Sequence, residues 1–133
     1  MRRLLLSIAL FLAASTSADE QTRLDYLLHC SGCHLPDGRG MLPEVPALGE
    51  ALGIIVGLPG GRAYIAGVPA ASQAPVSDQS LADITNWVLR SFNARTLPDG
   101  FEPITAAEIR HGRRYVMKDP LKLRKEIWSH YAP

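Results

Sequence analysis

Two cysteines in this 133-residue chain stand three positions apart, and a histidine follows the second: Cys30-Ser31-Gly32-Cys33-His34. Thiols at that spacing suit three kinds of chemistry. A redox-active dithiol calls for a preceding strand and a βαβ setting, and no strand-like alternation leads into the motif. A zinc site needs further ligands at metal spacing, and the other histidines, His29, His111 and His130, are not so arranged. The histidine directly after the second cysteine fits the third chemistry, because Cys-x-x-Cys-His is the attachment signature of c-type haem. Two thiols add across two vinyl groups on one edge of a porphyrin. The next residue then lies beneath the ring, where its imidazole can bind iron. The motif predicts one covalently attached haem c, with thioethers at Cys30 and Cys33 and with His34 as proximal iron ligand.

The start of the chain bears on where such chemistry would happen. Met1-Arg2-Arg3 is positively charged, Leu4 to Ala14 is apolar, and Thr16-Ser17-Ala18 are small. This is the three-part pattern of a secretory signal peptide, with cleavage expected after Ala18. The apolar run falls well short of the ~20 residues that a spanning helix needs, and no later stretch is longer, so no transmembrane span is expected after cleavage. The working protein is then residues 19–133, exported to the periplasm. A covalent link suits that compartment, since it keeps a cofactor from being lost outside the cell.

Composition narrows the class. Charged residues make up 20% and apolar ones 47%, which excludes a disordered polyelectrolyte. The formal net charge is +1, and −1 without Arg2 and Arg3, so there is no basic face to hold nucleic acid. Two cysteines cannot make a disulfide-dense scaffold.

The residues around the motif carry a family resemblance. After His34 come Leu35-Pro36-Asp37-Gly38-Arg39-Gly40 and then Val45-Pro46-Ala47-Leu48. This resembles the class I cytochromes c, in which a glycine-bearing loop and a Gly-Pro-x-Leu segment follow the haem motif. The resemblance covers roughly residues 21–93. It implies that the Pro46 carbonyl accepts the second N–H of His34, orienting the imidazole and raising its basicity. Val45 stands where the family has glycine. Gly38 and Gly40 are expected to let the backbone pass close to the porphyrin edge.

Helical periodicity supplies the elements that must position these groups. Gln21 to His29 reads as a helix through Leu24, Leu27 and Leu28, with Asp19 and Glu20 at its positive end. Ser77-Asp78-Gln79-Ser80 starts another, whose apolar face is Leu81, Ile84, Val88 and Phe92 with Trp87 beside it. Tyr26 and Trp87 are expected to meet where these helices cross. Between them the segment 49–75 is punctuated by glycine and proline. It predicts short helices near Ala47–Leu52 and Arg62–Ala66, with Leu52, Ile54, Ile55, Val56 and Leu58 as an apolar wall. The fold class is therefore a small all-α domain, cytochrome c-like by resemblance, spanning residues 19–93 around the haem. A linker and C-terminal helical extension, 94–133, follow.

One departure concerns the iron's sixth position. The resemblance places a methionine shortly before the last core helix, and Val68-Pro69 occupies that place by spacing. Valine cannot ligate iron. Met41 lies in the loop that the family keeps on the proximal side, and His29 is adjacent to Cys30. His111 and Met117, both in the extension, are the remaining candidates for a distal ligand, beside water, an open site or a partner's residue.

The extension has its own signals. Pro98-Asp99-Gly100 marks a turn, and Thr105-Ala106-Ala107-Glu108 is a capping box that opens a helix from Ile109 to Met117. Asp119-Pro120 opens another to about His130, carrying Leu121, Leu123, Ile127 and Trp128. Those side chains should pack on the haem domain or on a partner. Residues 19–99 carry a net −4 and residues 100–133 a net +3. That asymmetry is either a solvated helix face, a basic tail on its own acidic core, or a dock for an acidic redox partner. Together these readings imply a periplasmic electron carrier rather than an enzyme. Its partners would be proteins such as an exported dehydrogenase or a terminal oxidase. Two other expectations stand beside it: a haem protein with an open distal site, acting as small-ligand sensor or weak peroxidase, and a haem subunit of a larger exported oxidoreductase.

Overall fold

A computed structural model describes residues 17–115 and 117–131. The expected signal peptide falls almost wholly on residues 1–16, outside the described residues. The described chain is helical, with no sheet; its single β-bridge joins Met41 and Val45. No helix among the described residues is long and apolar enough to cross a membrane.

The first helix, α1 (Ala18–His29), begins one turn before the predicted start, because the Ser17 side chain caps it by accepting from the Glu20 amide. A one-turn helix, α2 (Ser31–His34), follows directly. Four helices cross the middle of the chain: α3 (Ala51–Ile55), α4 (Gly61–Gly67), α5 (Pro69–Ser72) and α6 (Asp78–Asn93). Ser77 caps α6 as its sequence suggests, accepting from the Ser80 amide. In the extension, the Thr105–Glu108 capping box opens α7 (Ala106–Gly112), and Asp119 caps α8 (Pro120–Trp128).

α6 is the spine. Its buried face holds Leu81, Ile84 and Val88 as the periodicity predicts, together with Leu89. α1 crosses it, and Tyr26, fully buried, meets Trp87 at 5.1 Å and Phe92 at 5.6 Å between ring centroids. Such tilted and edge-on contacts add about 0.5–1.5 kcal/mol per pair to the burial itself. Two buried asparagines on α6 act as staples. Asn86 donates to the Ile104 carbonyl (2.8 Å) and accepts from its amide (2.7 Å). Asn93 donates to the Leu48 carbonyl (2.8 Å) and accepts from the Gly53 amide (2.9 Å).

The extension shares this core. Ile104, Ile109 and Ile127 are buried in the same cluster as Leu52, Ile65 and Leu89. α7 packs on α4 and α6, and α8 packs on α4. The α4–α7 crossing is close because it uses glycine: a Cβ on Gly112 would stand 2.4 Å from the Ala66 carbonyl oxygen. Charge holds the same seam. Arg62 makes two hydrogen bonds to Glu108 (2.7 and 2.9 Å), while Arg110 and Arg113 converge on Asp78 at 3.1 and 3.0 Å. At Asp78 an acid of the core neutralises bases of the tail, while at Glu108 the signs are reversed. Of the apolar residues on α8, Ile127 is buried and Leu123 half-buried, whereas Leu121 and Trp128 are exposed.

Candidate functional site

The Cys30–His34 motif forms a tight corner between α1 and α2. Cys30 ends α1, its amide bonded to the Tyr26 carbonyl at 2.9 Å, and its own carbonyl accepts from the Cys33 and His34 amides. Ser31 returns its hydroxyl to the Leu27 carbonyl at 2.8 Å. After His34 the chain reverses through Leu35, which takes the left-handed region at φ 63°. The Tyr26 hydroxyl holds that reversal by donating to the Leu35 carbonyl at 2.6 Å. Burial, with the negative charge of neighbouring groups behind it, pushes the Tyr26 pKa up to about 12, so this hydroxyl stays protonated as a donor.

The loop beyond the corner comes back to it. The Gly40 amide bonds the His34 carbonyl at 3.0 Å, Leu48 bonds Gly38 at 2.7 Å, and the bridge between Met41 and Val45 delivers Pro46 toward the His34 ring. Gly38 and Gly40 have positive φ and make close approaches, but to the protein itself. A Cβ on Gly38 would meet the Phe92 ring at 2.7 Å, and one on Gly40 the Val45 carbonyl oxygen at 2.4 Å. In the described structure they let the loop pack on α6 and on its own return.

The corner opens onto a cleft of about 190 Å³, lined by Cys30, Cys33, His34 and Pro46. That is below the usual range for ligand pockets, about 300–1,000 Å³. Most of its other lining is apolar: Leu52 from α3, Ile65 from α4, Leu81, Ile84 and Val88 from α6, and Val68 with Ala71 at α5. Among the described residues no aspartate or glutamate lines it. From the expected apolar wall only Leu52 reaches the cleft. Ile55 and Val56 serve the core, and Leu58 lines a second groove beyond α4.

Three observations describe the chemistry at this corner. Both thiols are free, Cys33 exposed and Cys30 half-buried. Burial pushes the Cys30 pKa up to about 11, so it is a neutral thiol near pH 7. A nucleophilic dithiol needs the opposite shift. The His34 pKa is lowered, chiefly by burial, with the Pro46 carbonyl opposing. The imidazole is thereby neutral, the form that binds metal. Its Nδ1 is buried, and the Pro46 carbonyl falls short of a hydrogen bond to it, leaving the atom without a partner. A buried polar atom without a partner costs about 1–3 kcal/mol. Here it belongs to the ring that the motif assigns to iron. Among the described residues no group of three His, Cys, Asp or Glu side chains is gathered as a zinc site would need.

Of the sequence candidates, the cleft therefore gathers Cys30, Cys33, His34 and Pro46. His111 and Met117 stand elsewhere. Both line the second groove, which runs beyond α4 beside Gly60, Arg62 and Glu108. His111 is exposed and stacks on Tyr115 at 4.9 Å, and Met117 is half-buried against Gly67. His29 lines the cleft, next to Cys30. Among the cleft residues not foreseen is Arg124 of α8. No sequence signal marks it, because only the packing of α8 on α4 brings it there. No protein-family model matches the chain, and no curated protein matches it.

Proposed function

We propose that this chain is an exported monohaem c-type cytochrome that carries single electrons between redox proteins. What supports the proposal most is the joint presentation of Cys30, Cys33 and His34 along one largely apolar cleft, with the imidazole neutral. The donor set matches a c-type haem in number and order. Cys30 and Cys33 would hold it covalently, and His34 would give an axial nitrogen. Pro46 is positioned to accept from Nδ1 once the ring turns slightly, which would fix the ring's orientation and basicity. When bound, the haem supplies an iron that alternates between ferric and ferrous states.

The chain's own contribution is to the environment of that chemistry. Leu52, Ile65, Leu81, Ile84 and Val88 would exclude water from the cofactor's faces, and a drier, less polar site favours the less charged ferrous state. Cys33 is exposed, so the thioether edge would lie at the surface, where a transient partner can approach. Small, weak contacts are typical of such exchanges. An exported dehydrogenase as donor and a terminal oxidase as acceptor would fit this role.

One observation favours a second reading. Neither His111 nor Met117 lines the cleft, and Val68 stands where a distal thioether would be expected. The sixth position would then be open to a small ligand, as in a sensor or weak peroxidase. The deciding experiment is an absorption spectrum of the haem-loaded ferric protein, followed by reduction under carbon monoxide. A low-spin spectrum with slow carbon monoxide uptake and a reversible one-electron wave supports the carrier. A high-spin spectrum with fast uptake favours the ligand-binding function.

A further inference from the structure

Among the described residues that line the cleft, Arg124 is the one that carries a permanent charge, and the proposed haem attachment gives it no task. Arg124, half-buried on α8, lines the same cavity as Cys30, His34 and Val68. Arg62, Arg95, Arg110 and Arg113 each engage a carboxylate. Among the described residues Arg124 has no such ion pair and no hydrogen bond, and no acidic residue lines the cleft with it. Its position is nonetheless fixed. Asp119 caps α8 at 2.9 Å, Ile127 is buried one turn further on, and the helix packs on α4. A guanidinium keeps its charge at any ordinary pH. Held against apolar walls, that charge is favourable only beside water or an anion.

We infer that Arg124 is the anion-recognition group of this cleft, and that its fork takes a carboxylate or a small free anion bound there. The inference rests on the proposed haem attachment. Two sources offer the chemistry: a carboxylate substituent of the porphyrin itself, or a small anion that enters beside Val68. Planar two-point pairing of arginine with a carboxylate suits the first. Charge complementarity alone suits the second.

The test uses the full-length, haem-loaded protein and the variants Arg124→Gln and Arg124→Lys. Two quantities are read for each: the midpoint potential without added anions, and the affinity of the ferric protein for azide. If the partner is the porphyrin carboxylate, Arg124→Gln leaves that negative charge uncompensated and favours ferric iron. A tenfold change in the ferric–ferrous equilibrium then lowers the potential by about 59 mV, with azide affinity little altered. If the partner is a free anion, azide binding weakens by about tenfold, the usual order for one lost charge-assisted contact; the potential falls here too, because a positive charge beside the iron is lost, so the azide affinity is the reading that separates the two sources. Either result supports the inference and names the source. Arg124→Lys keeps the charge and is expected to retain most of the wild-type value in whichever measurement moves. Equal losses in both variants indicate a packing role and overturn the inference. So do variants that match wild type in both measurements while wild type carries covalent haem. A wild-type chain without covalent haem overturns the haem proposal and this one with it.

Discussion

The corner at Cys30–His34 and the extension from Ile104 onward both contribute to the cleft, but in different ways. The corner is local. Its geometry comes from one helix end, one helical turn and the reversal at Leu35, all within a few residues of the motif. The extension is remote in sequence and reaches the site only through tertiary contacts, by way of Asn86, the Arg62–Glu108 pair and the Gly112–Ala66 approach. Local chemistry leaves a readable pattern of residue types. Tertiary placement leaves almost none, because any apolar helix with a capping residue has the same signature whichever surface it covers.

That difference can be sharpened by substitution. The largest effect is expected at the corner. His34→Ala should either block haem attachment or, where haem is retained, change its spin state, while far-ultraviolet circular dichroism stays helical. An unchanged haem spectrum would refute His34 as the axial ligand. In the extension the dominant effect should be on stability. Ile109 is fully buried between α4 and α6, and Ile109→Ala should cost about 2–5 kcal/mol of folding stability. Chemical denaturation reads it, and a loss below about 1 kcal/mol would show that the extension is not part of the core.

Acid gives a smaller effect on the same seam. The Arg62 guanidinium, helped by Thr105, holds the Glu108 carboxyl down to about 2, against an ordinary value of 4.5. A depressed carboxyl contributes stability that is whole above its unfolded pKa and is lost as pH falls through the folded one. The window therefore runs from about pH 4.5 down to about 2. With about a third of both side chains exposed, the contribution is on the order of 1–2 kcal/mol. Glu108→Gln should flatten that part of the stability–pH curve, and an identical curve in the variant would remove the ion pair from the account. The smallest effect is expected for the two residues the sequence offered as distal ligands. Met117→Leu and His111→Ala should leave the ferric spectrum unchanged, since both side chains line the groove beyond α4. A spin-state change in either would bring that residue back to the iron. Truncation after Arg95 is a poorer probe, for it would strip Ile104, Ile109 and Ile127 from the core.

Much of the fold was legible, and for identifiable reasons. The apolar face of α6 recurs at helical spacing, the cap at Ser77 and the box at Thr105 announce their helices, and the aromatic pair Tyr26–Trp87 meets as expected. The boundaries inside 49–75 were less so. Pro69 reads as a breaker, yet proline is well suited to the first turn of a helix, and there it opens α5. Asn86 and Asn93 gave no sign of being staples, because a buried amide looks like a surface one until its backbone partners are known. At the site, the corner residues followed from spacing alone. The absence of His111 and Met117 from the cleft and the arrival of Arg124 did not, since both depend on how α7 and α8 lie against α4.

The central claim is that the corner at Cys30–His34 holds haem covalently. It is tested most directly by exporting the full-length chain in a host competent for haem attachment and denaturing the product in acid–acetone. Intact mass and the absorption of the precipitated protein are then read. Wild type should keep one haem through denaturation, and the Cys30→Ala/Cys33→Ala double variant, exported equally well, should keep none. A wild-type chain that leaves the extraction colourless and at its unmodified mass, or a double variant that stays coloured, would contradict the account.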